Sequence, residues 1–175
     1  MNVTKRRIFE ISSKSKEGRR MRKFEIISKK EFEKKVDGKF YENIKIPERS
    51  TKNSAGYDFY LPYDVVIPKG KTVVLSTGIK ACMNNDEFLM VVIRSSLGVK
   101  KGLKMANQVG IIDSDYYNNI DNEGHILIAL TNTIDEDVFL KIDDRIAQGI
   151  FMKYLVTDNE KEVKKIRLGG IGSTN

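Results

Sequence analysis

The apolar positions of the chain change rhythm along its length. Near the N-terminus they predict one short helix. Ser28 followed by Glu31 forms a capping box, and Lys29 to Val36 continues with good helix formers. Further on the period is two. Tyr57, Phe59 and Leu61 alternate with smaller or polar residues. Val65 to Ile67 leads into the turn signal Pro68-Lys69-Gly70, and Thr72 to Leu75 resumes a strand. Phe88 to Ile93, His125 to Leu130, Val138 to Ile142 and Ile146 to Leu155 read as further strands. Asn84-Asn85-Asp86, Asp121 to Gly124 and Asp135-Glu136-Asp137 separate them. Roughly eight or nine short strands at this spacing predict an all-β barrel or jelly roll rather than a βαβ sheet.

Composition fits that picture and narrows it. The chain has 175 residues, 40% hydrophobic and 31% charged, which suits one globular domain with a tail. The longest wholly apolar run, Phe88 to Ile93, is far short of a membrane span, and no apolar segment follows the basic N-terminus as a secretory signal requires. Cys82 is the one cysteine, so no internal disulfide can form and a reducing cytoplasm is expected.

The net charge of +7 invites a nucleic-acid reading until it is located. Residues 1–23 hold nine Lys or Arg and two Glu, a net +7, so the other 152 residues sum to zero. Two readings of this basic segment stand: a disordered leader, and an arm giving weak, salt-sensitive phosphate binding. A neutral domain argues against a nucleic-acid module. The expected organisation is a leader over 1–21, a β-domain over 22–160 and a C-terminal arm over 161–175. Met21 is itself a plausible start, and Lys16-Glu17 can be encoded by a ribosome-binding sequence. Residues 1–20 are therefore expected to be translated upstream sequence.

The chemistry concentrates in a few blocks. One His and one Cys cannot build a zinc site, and His125, the only base for a serine triad, reads as a strand-end or surface residue. Gly110-Ile111-Ile112-Asp113-Ser114-Asp115-Tyr116 carries two carboxylates two residues apart. On an extended segment they point the same way and can share a metal or split roles. Arg94-Ser95-Ser96-Leu97 follows a strong apolar strand, and an Arg with two hydroxyls there makes an anion site or an ordinary polar loop. The C-terminal Gly169-Gly170-Ile171-Gly172-Ser173-Thr174 is either a frayed end or a phosphate-clasping arm.

These blocks occur in order with Ala55-Gly56-Tyr57-Asp58-Phe59 and Arg145-Ile146-Ala147-Gln148-Gly149. Together they resemble the five-motif trimeric deoxyuridine triphosphatase (dUTPase) family over residues 22–175. The resemblance implies a distorted jelly-roll barrel, a homotrimer, and Mg²⁺-dependent hydrolysis of dUTP to dUMP and pyrophosphate. That reaction limits uracil in DNA and supplies dUMP for dTMP synthesis. It implies that Asp113 is the general base for a water attacking the α-phosphorus, with Asp115 serving the hairpin's own geometry. Tyr116 would lie under the deoxyribose. Asn107 and the backbone of Gly110 to Ile112 would read uracil in a tight hairpin. Ser95, beside Ser96, would meet the leaving phosphate, while Arg94 and Gln148 would bind the phosphate chain or hold its contacts. Asp58 would stand near the metal through water or act as a structural partner. Gly170, Ile171, Gly172 and Ser173 would close over the substrate.

The pattern departs from the family in three places. Ile171 stands where a phenylalanine stacks on uracil, which implies weaker affinity or a looser arm. Arg167 lies one residue out of the usual place for the arginine expected on the γ-phosphate, and Lys165 is the other candidate. Tyr117 to Glu123 looks like an insertion, expected to form a polar surface lobe that a protein partner such as a repressor could use. The nearest rival is a deoxycytidine triphosphate deaminase, but Ala129 stands where its glutamate would be expected.

Overall fold

The computed structural model of the chain describes residues 21–163, 167 and 169. Residues 1–20 of the leader and Lys165, Gly170, Ile171, Gly172 and Ser173 of the arm lie outside the described residues.

The helix predicted near the N-terminus is present but shorter. Helix α1 runs Lys29–Glu33, and the Ser28 hydroxyl accepts from the Glu31 N–H at 3.2 Å. The other half of the capping box is not made by Glu31, whose carboxylate pairs with Lys34. Instead, Glu123 accepts from the Ser28 N–H at 2.9 Å and from its hydroxyl at 2.5 Å, across 95 residues of chain.

The remaining architecture is mainly β, with every pairing antiparallel. A five-stranded sheet runs β2 (Glu48–Arg49), β3 (Tyr57–Tyr60), β12 (Arg145–Lys153), β7 (Glu87–Ile93), β9 (Gly110–Asp113). A three-stranded sheet runs β5 (Thr72–Ser76), β10 (Leu127–Asn132), β8 (Leu103–Met105). Two pairs complete the fold: β1 (Lys23–Ile26) with β6 (Ile79–Cys82), and β4 (Val65–Ile67) with β11 (Val138–Leu140). Among the described residues the hydrogen-bonded ladders form four separate sheets and do not close into one barrel.

Period two explains what is inside. Leu89 and Val91 of β7 and Ile128 and Leu130 of β10 are fully buried, while their neighbours along each strand are less so. Each such aliphatic side chain contributes about 1.5–3 kcal/mol by leaving water. Phe24 joins β1 to the large sheet, its ring 5.4 Å from Tyr57, 5.6 Å from Phe59 and 5.3 Å from Phe151. Gly149 is required where β12 passes this cluster, since a Cβ there would lie 2.9 Å from the Phe59 ring and 3.0 Å from Leu89.

His125 corrects the expectation of a surface residue. It precedes β10 and is completely buried. Its Nε2 accepts from the Gly78 N–H at 3.1 Å and meets the Ser76 hydroxyl at 3.1 Å. Burial, helped by the Lys35 charge, lowers its pKa to about 4, so the ring is neutral at pH 7.

Candidate active site

The segment from Asn107 to Tyr116 does not form a hydrogen-bonded hairpin. Its arms belong to different sheets: β8 pairs with β10, and β9 pairs with β7 through Gly110–Val91 and Ile112–Leu89. The turn between them is tight, with Gln108 at φ 62° and the Val109 N–H bonded to Asn107 O at 2.6 Å. Both arms are the last strands of their sheets, so each presents backbone groups toward the gap.

That gap is a cavity of about 360 Å³, whose lining includes Asn107, Gly110, Ile112, Asp113, Tyr116 and Arg167. Asp113 is the one carboxylate among the described lining residues. Ala129 also lines it, a methyl group where a deaminase would need a carboxylate.

Asp113 ends β9, and the chain then tightens into a 3₁₀ turn over Ser114–Tyr116. The extended geometry expected for Asp113 and Asp115 is therefore lost. Arg167 nevertheless joins them, donating from Nη2 to the Asp113 carboxylate and from Nε to Asp115 at 2.8 Å. Burial raises the Asp113 pKa, with Arg167 opposing and Asp115 adding to the rise. The Arg167 guanidinium also stands 5.9 Å from the centre of the Tyr116 ring.

Tyr116 is buried, and the segment after it holds it there. Its hydroxyl donates to His125 O at 2.9 Å and accepts from Asn122 Nδ2 at 2.7 Å. Its carbonyl accepts from Asn119 Nδ2 at 2.8 Å. The 117–123 segment, expected as a polar surface lobe, exposes Asn118, Ile120 and Asp121 but is tied to the rest of the fold. Tyr117 bonds Glu25 of β1, Lys80 of β6 donates to Asn118 at 2.7 Å, and Glu123 caps α1. Asn119 and Asn122 are buried, and Ile120 is the large apolar side chain left outside. Gly124 closes the loop at φ 84°, where a Cβ would lie 2.7 Å from Tyr116 O.

A second cluster forms on the large sheet. Asp58 of β3 is 1% exposed. It accepts from Arg94 on one oxygen, and from the Ser50 hydroxyl at 2.6 Å and Arg145 at 3.3 Å on the other. Burial pushes its pKa up, but Ser50, Arg94 and Arg145 together outweigh this and hold it below the usual carboxylate range. Both Asp58 oxygens are thus engaged, one by Arg94 and the other by Ser50 and Arg145. Among the described residues no group of three or more His, Cys, Asp or Glu could hold a metal ion. Gln148 stands opposite Asp58 and Val92 in the ladders of β12. Ser95 and Ser96 are exposed where β7 gives way to a wide π-type turn over Ser96–Lys100.

The structure therefore brings Asn107, Gly110, Ile112, Asp113, Tyr116 and Arg167 to one cavity. It gathers Arg94, Arg145 and Gln148 around Asp58 elsewhere. Among the described residues the cavity lining includes none of Arg94, Ser95, Ser96 or Gln148. Sequence reasoning missed Asn119 and Asn122. Their signal was two asparagines spaced to fold a loop back on its own start.

These features define a mainly β-protein with a cavity between two sheet edges and a separate cluster of fixed cations. A family model described as dUTPase matches residues 42–175. The deoxyuridine 5'-triphosphate nucleotidohydrolase of Lactococcus lactis is 43% identical over 158 residues, covering 89% of this chain and 98% of that protein. The crystal structure of dUTPase from Streptococcus mutans is 41% identical with a TM-score of 0.67, covering 78% of this chain and 99% of that one. A mutant dUTPase from phage phi11 of S. aureus, described with a structural Mg(II) ion, shares the fold. Its TM-score is 0.63 at 18% identity, over 84% of this chain and 99% of that one. The chain belongs to the dUTPase family.

Among the described residues no helix is long and apolar enough to cross a membrane.

Proposed function

We propose that the chain hydrolyses dUTP to dUMP and pyrophosphate. The observation that carries this is Asp113, the one described carboxylate in a base-sized cavity between two sheet edges. The uracil ring enters between β8 and β9 as a further strand would. The backbone of Gly110 to Ile112 and the Asn107 amide pair with its edge. A base of the wrong pattern leaves polar groups unpaired, at about 1–3 kcal/mol each. Tyr116 lies beneath the deoxyribose and leaves no space for a 2′-hydroxyl.

Asp113 holds the attacking water and takes its proton. The new bond forms between that oxygen and the α-phosphorus, and the bond from the α-phosphorus to the bridging oxygen breaks, releasing pyrophosphate. A half-buried carboxylate with a raised pKa is the better base, and such proton transfer is worth about 10²–10⁴-fold. Arg94 and Arg145 meet phosphate charge, with Asp58 as the group that aims them. Ser95 and Gln148 hold the leaving phosphates, with Ser96 beside them.

Mg²⁺ would be held mainly by the triphosphate, whose oxygens suit this hard cation, and would offset the phosphate charge. The donor set around Asp58 fits this better than a protein cage. The same division of parts supports a homotrimer, in which a second copy would supply the cation cluster to the cavity of the first. In this reading the four sheets are parts of one distorted jelly-roll barrel, residues 161–175 form the closing arm, and the enzyme works in the cytoplasm.

Pyrophosphate release from a panel of nucleotides with Mg²⁺ tests the proposal. Turnover confined to dUTP supports it. Ammonia release from dCTP, or no turnover of any nucleotide, would refute it.

A further inference from the structure

The 117–123 segment looks like an insertion in sequence, yet its two buried side chains, Asn119 and Asn122, both serve one residue. Tyr116 is held at both ends: at its hydroxyl by Asn122 Nδ2 (2.7 Å) and His125 O (2.9 Å), and at its carbonyl by Asn119 Nδ2 (2.8 Å). The division of labour within Asn122 is specific. Its Oδ1 folds the loop, accepting from Asn119 Nδ2 at 2.8 Å and Gly124 N–H at 3.1 Å. Its Nδ2 remains for the phenol. Asn119 Oδ1 accepts from the Asp121 and Asn122 N–H groups, both at 3.1 Å, so this network is satisfied throughout. The loop is then anchored to distant elements through Glu123 on Ser28 and Asn118 on Lys80.

We propose that the 117–123 segment is the device that sets sugar selection, with Asn122 and Asn119 as positioning residues for the Tyr116 ring. The inference rests on the reading of Tyr116 as the shelf beneath the deoxyribose. Excluding one hydroxyl by contact needs the ring held to about 0.5 Å. A phenol fixed by one bond can swing about it, whereas one bridged between Asn122 and His125 O cannot.

The test is steady-state turnover of dUTP and UTP by the full chain, Asn122→Ala, Tyr116→Phe and the double variant. Asn122→Ala should lower the dUTP-over-UTP ratio of kcat/KM by about tenfold, the size of one lost hydrogen bond, and Tyr116→Phe, which loses the bonds to both Asn122 and His125 O, by at least as much. Most of the change in the ratio should appear as gained UTP turnover. The double variant should fall no further than Tyr116→Phe alone, because the phenyl ring already lacks the bond that Asn122→Ala removes. An unchanged ratio in Asn122→Ala, even with a lower melting temperature, overturns the proposal, as do losses that simply add. If Asn122→Ala does not fold, Tyr116→Phe decides alone, since it deletes only the hydroxyl: an unchanged ratio again overturns the idea. Absence of dUTP turnover in the unaltered chain is a different failure, and overturns the underlying reading as well.

Discussion

Arg167 donates a hydrogen bond to the carboxylate of Asp113. The same guanidinium covers the Tyr116 ring, so the cation occupies both the proposed base and the proposed sugar shelf. Substrate must displace it, and the displacement frees Asp113 to take a proton. Burial raises the Asp113 pKa and Arg167 opposes the rise. Arg167→Gln should therefore push that pKa higher still. Activity depends on the ionised form, so the acid limb of kcat/KM, which reports the free enzyme, should move to higher pH. A pH–rate profile checks this. A limb that stays in place or moves to lower pH contradicts the pairing.

Asp58 is expected to matter as much for stability as for turnover. It is buried between Arg94 and Arg145, and removing one side of such a pair leaves charge without compensation. Asp58→Ala should cost about 3 kcal/mol, since breaking a buried ion pair typically costs 3–5 and Arg145 is half exposed. The sign with pH follows from its lowered pKa. This stabilisation is present above the ordinary carboxylate pKa and is lost as pH falls through the lowered value. Guanidinium melts should show an earlier midpoint with an unchanged slope. Turnover should fall with it, because Arg94 and Arg145 lose the group that aims them.

His125 adds a second acid sensitivity in a higher window. Its folded pKa is about 4, against 6.5 for an ordinary histidine. As pH drops from 6.5 toward 4 the unfolded chain gains a proton that the folded chain refuses, so stability is lost. A shift of this size corresponds to about 3 kcal/mol at the lower end. His125→Asn should remove this slope. Denaturant melts at pH 7 and pH 4.5, wild type against variant, isolate it from the carboxylates common to both. Equal losses in the two proteins would show that His125 does not titrate as its burial demands.

How much of this was legible in sequence follows from what a period-two pattern can carry. Alternation at Tyr57, Phe59 and Leu61 and the apolar run from Phe88 marked real strands, because burial on one face is a local property of the chain. Partners are not local. Leu103–Met105 is too short to show a period, and nothing in it says that it bonds β10 rather than β9. The tight hairpin expected over 107–116 therefore opened into two sheet edges with a cavity between them. Charge patterning failed in a similar way at Ser28. The capping box named Glu31 at the right spacing, but Glu123 reached the same N–H from the far side of the fold. The carboxylates were legible because their motif is contiguous. The asparagines behind Tyr116 were not, because their role exists only once the loop has folded.

Gly56 offers a test of Gln148 that leaves the glutamine itself in place. A Cβ at position 56 would collide with Gln148 Oε1 and lie 3.1 Å from its Cβ and Cδ. The colliding Oε1 is the end of a flexible side chain that can turn away, and the contact with the Gln148 Cβ asks the backbone to give by only a few tenths of an ångström. Gly56→Ala should therefore cost little stability, under about 1 kcal/mol, as for other mild overpacking that a rotamer change relieves. The amide should shift by about 1 Å, and displacement of that size in a positioned group can cost about 100-fold in rate. The expected outcome is a large fall in kcat for dUTP with a melting temperature within a few degrees of wild type. Unchanged kcat would remove Gln148 from the catalytic machinery. A large fall in melting temperature would mean that the sheet, rather than the side chain, had yielded. Gln148→Ala on the Gly56→Ala background separates the two further: if the amide is the target, the second change adds little to the first.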